Sequence, residues 1–361
     1  MVLAGFAVIS MTMACTTTVE HAGARGAPGR SGATDGRTDS RADGRTDGGT
    51  DDRTDGRVGG RVGGRADERA GGSVGDRPQN EAGAGGHRVN VLTYNVCAAD
   101  NRDGTCTRDL TRARRKLWAS RVAGLIKSRK VDVASFTEMC YAQVNLLKRE
   151  LPHYRMVWHG IARGGGNKCR RLWSDLLATK TTPPDGKRFG MALVLKGRVD
   201  GAPLRRMLRV DRAPAREDAT IHPRGLLCAR TTVGPRRSVC CVTHISDTES
   251  PRQVIDIVAR YARRSPVILS GDFNRLPEDR QLTPVYGLGL GKGEYTEVDA
   301  VPPGETEQTA TPTTRGGRKI DYIFASEDDY RMAGAQVIKT RPELSDHRPL
   351  VGTLIMKARV L

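Results

Sequence analysis

Eight runs of β-branched and other apolar residues lie between positions 88 and 356, against three stretches with helical periodicity. That ratio argues against a sheet in which every strand is followed by a helix. The strand runs are "RVNVLTYNV", "VDVASFTEM", "GMALVLK", "GLLCARTTV", "SVCCVTHI", "PVILSGDFN", "KIDYIFAS" and "LVGTLIM". The first helical stretch, "RARRKLWASRVAGLIKSRK", places Trp118, Val122, Leu125 and Ile126 on one face. The second, "YAQVNLLKREL", is stopped by Pro152, and the third is "PRQVIDIVARYARR". Two mixed sheets packed face to face, with helices on the outside, meet this pattern.

The chain before residue 88 reads differently. From Thr34 a four-residue pattern, "TDGRTDSRADGRTDGGTDDRTDGRVGGRVGGRADER", carries no aromatic residue and almost no large aliphatic one. Such a segment buries too little apolar surface to offset its ordering entropy, so 16–87 is expected to be a disordered spacer. Residues 1–15, "MVLAGFAVISMTMAC", have the length and apolarity of a signal peptide, without basic residues at the front. The run is short for a membrane span. Small Ala14 precedes Cys15 as in a bacterial lipid-attachment site, but Thr12 stands where Leu is expected. The expected organisation is an export leader over 1–15, with Cys15 a weak lipidation position that would tether the chain to a membrane, then the spacer, then a folded domain over 88–361. The expected location is extracellular or at the cell surface.

Cysteine usage fits export. Seven cysteines lie beyond Cys15, at 97, 106, 140, 169, 228, 240 and 241. Cys97 and Cys106 flank a turn-rich loop, Cys140 and Cys169 make a second candidate pair, and Cys228 faces Cys240 or Cys241 across a hairpin turning at "VGPR". The odd count leaves one thiol free. No CxxC pair is present, which weighs against zinc.

Charge is distributed unevenly. Lys and Arg number 59 against 41 Asp and Glu, and residues 1–87 hold 11 Arg against 12 acidic residues, so 88–361 carries a net +19. A domain so basic favours a polyanionic partner. Arginine outnumbers lysine 47 to 12, a skew that genome composition alone also produces.

Polar residues gather at the ends of the strand runs. Asn95 closes "TYN", Glu138 closes "FTE", His244 stands in "THI", Asp272 and Asn274 in "GDFN", Asp321 opens "DYIF", and Asp346 and His347 stand in "SDH". Taken singly each has an ordinary explanation: a D-x-N is usually a turn, an Asp–His pair usually a cap, a histidine after a strand usually a hydrogen-bonded structural residue. Together, in this order over 89–355, they resemble the endonuclease/exonuclease/phosphatase superfamily. The resemblance implies a four-layer α/β sandwich and divalent-metal hydrolysis of phosphate esters.

It also implies roles. Glu138 would hold Mg²⁺ (or Mn²⁺ or Ca²⁺), helped by Asn95 and Asp346. Asn274 would donate to a phosphate oxygen and Asp272 would orient the attacking water. His347 would act as general base with Asp321 fixing its tautomer, although the choice between Asp272 and His347 as proton acceptor stays open. His244, as imidazolium, would stabilise the transition state or protonate the leaving group. Two positions depart from the family: Thr137 stands where Gln is usual and Ile245 where Leu is usual. The basic domain points to a nuclease acting on DNA or RNA. Alternatives are a sphingomyelinase-like phospholipid phosphodiesterase, an inositide or small-molecule phosphatase, and a catalytically inactive polyanion-binding surface protein. A bilayer-entering enzyme would want exposed aromatics, and aromatic residues make up only 4% of the chain.

Overall fold

Strands β1 (Arg88–Asn95) and β2 (Val133–Cys140) run parallel, joined by helix α1 (Arg112–Ser128). Helix α2 (Tyr141–Glu150) and strands β3 (Arg155–Ala162), β4 (Phe189–Leu195), β5 (Val199–Met207), β6 (Gly225–Val233) and β7 (Arg236–His244) follow. Helix α3 (Pro251–Ala262) then crosses to β8 (Val267–Asp272), which is parallel to β7. The chain ends with β9 (Tyr295–Glu297), β10 (Asp321–Ser326), β11 (Tyr330–Val337) and β12 (Leu350–Met356). This computed structural model describes residues 86–98, 111–162, 169, 183, 186–213, 223–287, 293–300, 311–340 and 343–358, all within the unit Pro78–Leu361. The leader, Cys15 and the repeat segment lie outside the described residues.

The strands form two six-stranded mixed sheets, ordered β11-β12-β1-β2-β4-β3 and β5-β6-β7-β8-β10-β9. Val91, Val133 and Leu193 of the first pack against Leu227, Val242, Ile268 and Ile323 of the second. On the far face of the first sheet, Trp118, Val122 and Ile126 of α1 and Val144 and Leu147 of α2 cover Phe136 and Ala192. On the far face of the second, Val254, Val258 and Ala262 of α3 cover Leu269 and Phe324. The central strands are therefore buried on both faces, which is why they read as nearly unbroken apolar runs. The expected sandwich, helix layer on sheet on sheet on helix layer, is the fold.

Register decides the cysteine pairing. Cys228 lies directly opposite Cys241 across β6 and β7, and these two are bonded. Alternation turns Cys240 to the other face, where it is buried between the sheets as a free thiol. Cys140 is bonded to Cys169, and Cys97 is disulfide-bonded, while Cys106 lies outside the described residues.

One glycine is required by close approach. Gly271 has φ +143°, and a Cβ there would sit 1.9 Å from the carbonyl oxygen of Thr243, its partner across the parallel β7–β8 ladder. Gly271→Ala is expected to cost roughly 2–4 kcal/mol. Thermal or denaturant unfolding measures this, and an unchanged midpoint would contradict the packing at that contact.

Candidate active site

The residues that carry chemistry converge because of two simple features of strands. First, alternation gives them one parity. In β1, β7, β8 and β10 the residues facing the other sheet include Val91, Val242, Ile268 and Ile323, so Asn95, His244, Asp272 and Asp321 lie on that same side. Second, register aligns them: His244 pairs with Asp272, and Asp272 pairs with Asp321. The site thus sits at one end of the inter-sheet layer, beyond the carboxyl ends of the two parallel strand pairs, where α/β sheets commonly bind ligands.

Two residues reach the site through unusual backbone. The β2–β4 ladder shifts register between Phe136 and Met139, and Glu138 within this bulge has φ +52°. Bulges re-aim side chains beside active sites, and a non-glycine residue in the left-handed region is held there by its surroundings. The carboxylate of Glu138 is partly exposed, with Oε1 3.7 Å from His244 Nε2. Asn274 has φ +47°, a conformation asparagine tolerates better than most residues. Its backbone N–H donates to Asp272 Oδ1 (2.9 Å), closing a turn. Its Nδ2 donates to the Ile245 carbonyl (2.9 Å) and lies 3.4 Å from His244 Nε2.

The remaining contacts knit the set. Asn95 Nδ2 donates to Asp272 Oδ2 (2.9 Å), and its Oδ1 accepts the Cys97 N–H (3.0 Å). His244 Nε2 is 3.5 Å from Asp272 Oδ2. His347 Nδ1 is 2.8 Å from Asp321 Oδ2, and its Nε2 is 3.8 Å from Asp272 Oδ2. The loop carrying His347 is fixed by Ser345, whose Oγ donates to the Asn95 carbonyl (2.8 Å) and accepts the His347 N–H (3.1 Å). Asp346 joins through the same hydroxyl, 3.2 Å from its Oδ1.

Several participants escape the strand-end reading. Arg224 Nη1 lies 2.9 Å and 3.0 Å from the two ring nitrogens of His244. It immediately precedes Gly225, the register partner of His244, so its position follows only once the β6–β7 pairing is known. Thr313 Oγ1 accepts the Asp321 N–H (3.1 Å). Buried Lys319 donates to the Asp321 carbonyl (2.8 Å) while pairing with Glu297 (2.8 Å) and Asp299 (3.1 Å).

Electrostatics separates the titrating groups. Burial, reinforced by the facing Asp321, raises Asp272 to about 7 against the opposing pull of His347 and Asn95. Burial alone would lower His347, but the charge and hydrogen bond of Asp321, with Asp272 and Asp346, lift it to about 10. The facing carboxylates thus favour the imidazolium form of His347, and burial favours the neutral form of Asp272.

The donor set also suits a hard divalent cation. Carboxylate and amide oxygens dominate, thiolates are absent from the site, and Glu138 has no hydrogen-bond donor among the described residues. Oxygens of Asp272 and Asp321 and a nitrogen of His347 lie within 4.8 Å of one another. Asp321 Oδ1 is buried without a hydrogen-bond partner among the described residues.

The fold is shared with known structures. The catalytic domain of human nocturnin with bound sulfate superposes with a TM-score of 0.52 at 16% identity, covering 75% of this chain and 94% of that one. An endonuclease/exonuclease/phosphatase protein from Bacteroides vulgatus gives 0.51 at 16% identity, covering 75% and 100%. A conserved protein from Enterococcus faecalis V583 gives 0.53 at 16% identity, covering 74% and 100%. At these identities the likeness is one of fold. No curated protein sequence matches the chain. The sequence model of the Endonuclease/Exonuclease/phosphatase family, however, matches residues 92–347, a span that begins inside β1, ends on His347 and takes in every strand-end residue described above; the chain belongs to that family.

Proposed function

We propose that this protein is an exported, divalent-metal-dependent phosphodiesterase that hydrolyses nucleic acid. The observation that carries the reading is the row formed by Asp321, His347 and Asp272, flanked by His244, Asn274 and Glu138 on one rim of the sandwich. Glu138 would hold Mg²⁺ (or Mn²⁺ or Ca²⁺), supplemented by Asp346 and the Asn95 Oδ1, and the bound ion would polarise a phosphoryl oxygen.

The protein's own groups do the rest. Asp272, titrating near 7, takes the proton of the attacking water, since a base is most effective with a pKa close to the working pH. Asn95 holds the other side of that carboxylate in place. His347 carries its proton in the resting site and places a cation against the phosphoryl oxygens, with Asp321 fixing the ring. Asn274 presents its amide beside them. A ring nitrogen of His244 accepts from the Arg224 guanidinium, and the pair faces the leaving oxygen and stabilises its developing charge, while the proton comes from solvent.

Support for nucleic acid comes from the +19 balance of 88–361. A phospholipid substrate is less well supported, because no aromatic residue is among the exposed large hydrophobics of the described residues. Export is supported by the disulfides, which persist in oxidising compartments. A lipid on Cys15 would then tether the enzyme at the cell surface.

The test is to assay the purified chain with Mg²⁺ on plasmid DNA, RNA, sphingomyelin and inositol phosphates. Nicking or degradation of nucleic acid, abolished by a chelator, is expected. Turnover confined to the lipid or the inositol phosphates would retire the nuclease reading, and undiminished activity in excess chelator would retire the metal.

A further inference from the structure

The rung that aligns the site does not stop at His244. Asp321, Asp272, His244, Gly225 and Met207 are successive register partners across β10, β8, β7, β6 and β5. Neighbouring strands lie about 4.8 Å apart, so the end of β5 stands about 10 Å from His244 along the same rim. There the chain reads "RRMLRVDR" over 205–212, and Arg206, Arg209 and Arg212 are exposed. None of these three has a carboxylate partner among the described residues.

We propose that Arg206, Arg209 and Arg212 form a phosphate-binding track that seats the sugar-phosphate backbone of nucleic acid beside the scissile bond. This rests on the phosphodiesterase reading above and specifies where its polymeric substrate lies.

The segment is held as a rigid platform. Leu208 is buried and its N–H donates to the Arg224 carbonyl (3.0 Å). The Arg209 N–H and carbonyl bond the side chain of Gln253 (2.9 and 3.1 Å). The N–H groups of Asp211 and Arg212 both reach the Thr248 carbonyl (2.8 and 3.1 Å). Asp211, the segment's only carboxylate, is drawn onto α3 by Gln253 Nε2 (2.7 Å) and the Ser250 N–H (3.2 Å). The backbone that carries the arginines is therefore already ordered, which lowers the entropic cost of binding. Between the arginines, Met207 and Val210 are exposed. Neither is aromatic, which suits sugar contact better than entry into a bilayer. Each strand of duplex DNA carries a charge about every 3.4 Å of axis, so a track about 10 Å from the reaction meets phosphates a few nucleotides away.

The experiment compares the full-length chain with its Arg206→Ala/Arg209→Ala/Arg212→Ala variant and with the corresponding triple Lys variant. Binding of a labelled DNA duplex is followed by anisotropy in chelator across a salt series, and hydrolysis of bis(p-nitrophenyl) phosphate with Mg²⁺. The Ala variant is expected to lose about 2.7 from the log–log salt slope, 0.9 per contact, while turning over the small diester normally; the Lys variant should keep the slope. An unchanged slope in the Ala variant would overturn the track and leave the nuclease reading standing. Wild-type protein that hydrolyses the small diester yet neither binds nor cleaves DNA or RNA would retire both. Binding to phosphatidylserine vesicles that depends on these arginines, with DNA binding unaffected, would assign the surface to a membrane and overturn the proposal.

Discussion

His347→Ala is expected to lower kcat/KM on a small phosphodiester by about 10³-fold or more, some 4 kcal/mol of transition-state stabilisation. The size follows from the geometry. Nδ1 is committed to Asp321 at 2.8 Å, so Nε2 is the nitrogen left to face the phosphoryl group. Truncation removes that cation and leaves two buried carboxyl groups, Asp321 and Asp272, facing one another. The pH profile tells this loss apart from a general loosening. In the wild type the rate should rise as pH passes about 7, where Asp272 gives up its proton, and fall as pH passes about 10, where His347 does. Since His347 is one of the groups holding Asp272 down, its removal should move the acidic limb to higher pH. A variant that folds normally and keeps activity within about tenfold of wild type would remove His347 from the reaction.

Glu138→Gln should show a comparable loss at low metal and a partial recovery at high metal. The substitution keeps the shape of the side chain and removes the charge that a hard cation needs. The carboxylate is partly exposed and its contact with His244 Nε2 is long at 3.7 Å, so thermal stability should change little. Calorimetric titration with Mg²⁺ or Mn²⁺ should find affinity weaker by about two orders of magnitude or more, and activity at limiting metal should fall in step. Equal half-saturation in the two proteins would take Glu138 out of the metal site.

Much of this arrangement is legible in the sequence, and the exceptions share a cause. The central strands announce themselves because both faces are buried. β3, β5, β9 and β11 do not, and all four are edge strands, β11 and β3 of the first sheet and β5 and β9 of the second. "VDGAPLRRM" and "YRMAGAQV" are largely exposed and interrupted by glycine or proline, so hydrophobic periodicity carries no signal there. β9 is only three residues long. The strand-end residues are recognisable as a set because strand ends are local features. Arg224 enters the site through the β6–β7 pairing, and Lys319 and Thr313 through buried bonds to Asp321 that their residue types alone do not announce. The choice between Cys240 and Cys241 is similar: both are adjacent in the chain, and only the β6–β7 register selects one.

That same adjacency gives oxidative maturation a competing product. Bonding Cys228 to Cys240 would require β7 to slip by one residue, and a one-residue slip turns a strand over. Val239 and Cys241 would exchange sides with Cys240 and Val242, and His244 would leave the inter-sheet side for the helix side. The outcome would be an isomer of identical mass and identical thiol count, with its charged rim intact and its catalytic row broken. Recovery of activity after oxidative refolding would then depend on thiol exchange between two neighbouring sulfurs, and a gel or mass measurement that only counts disulfides would not distinguish the native isomer from the slipped one.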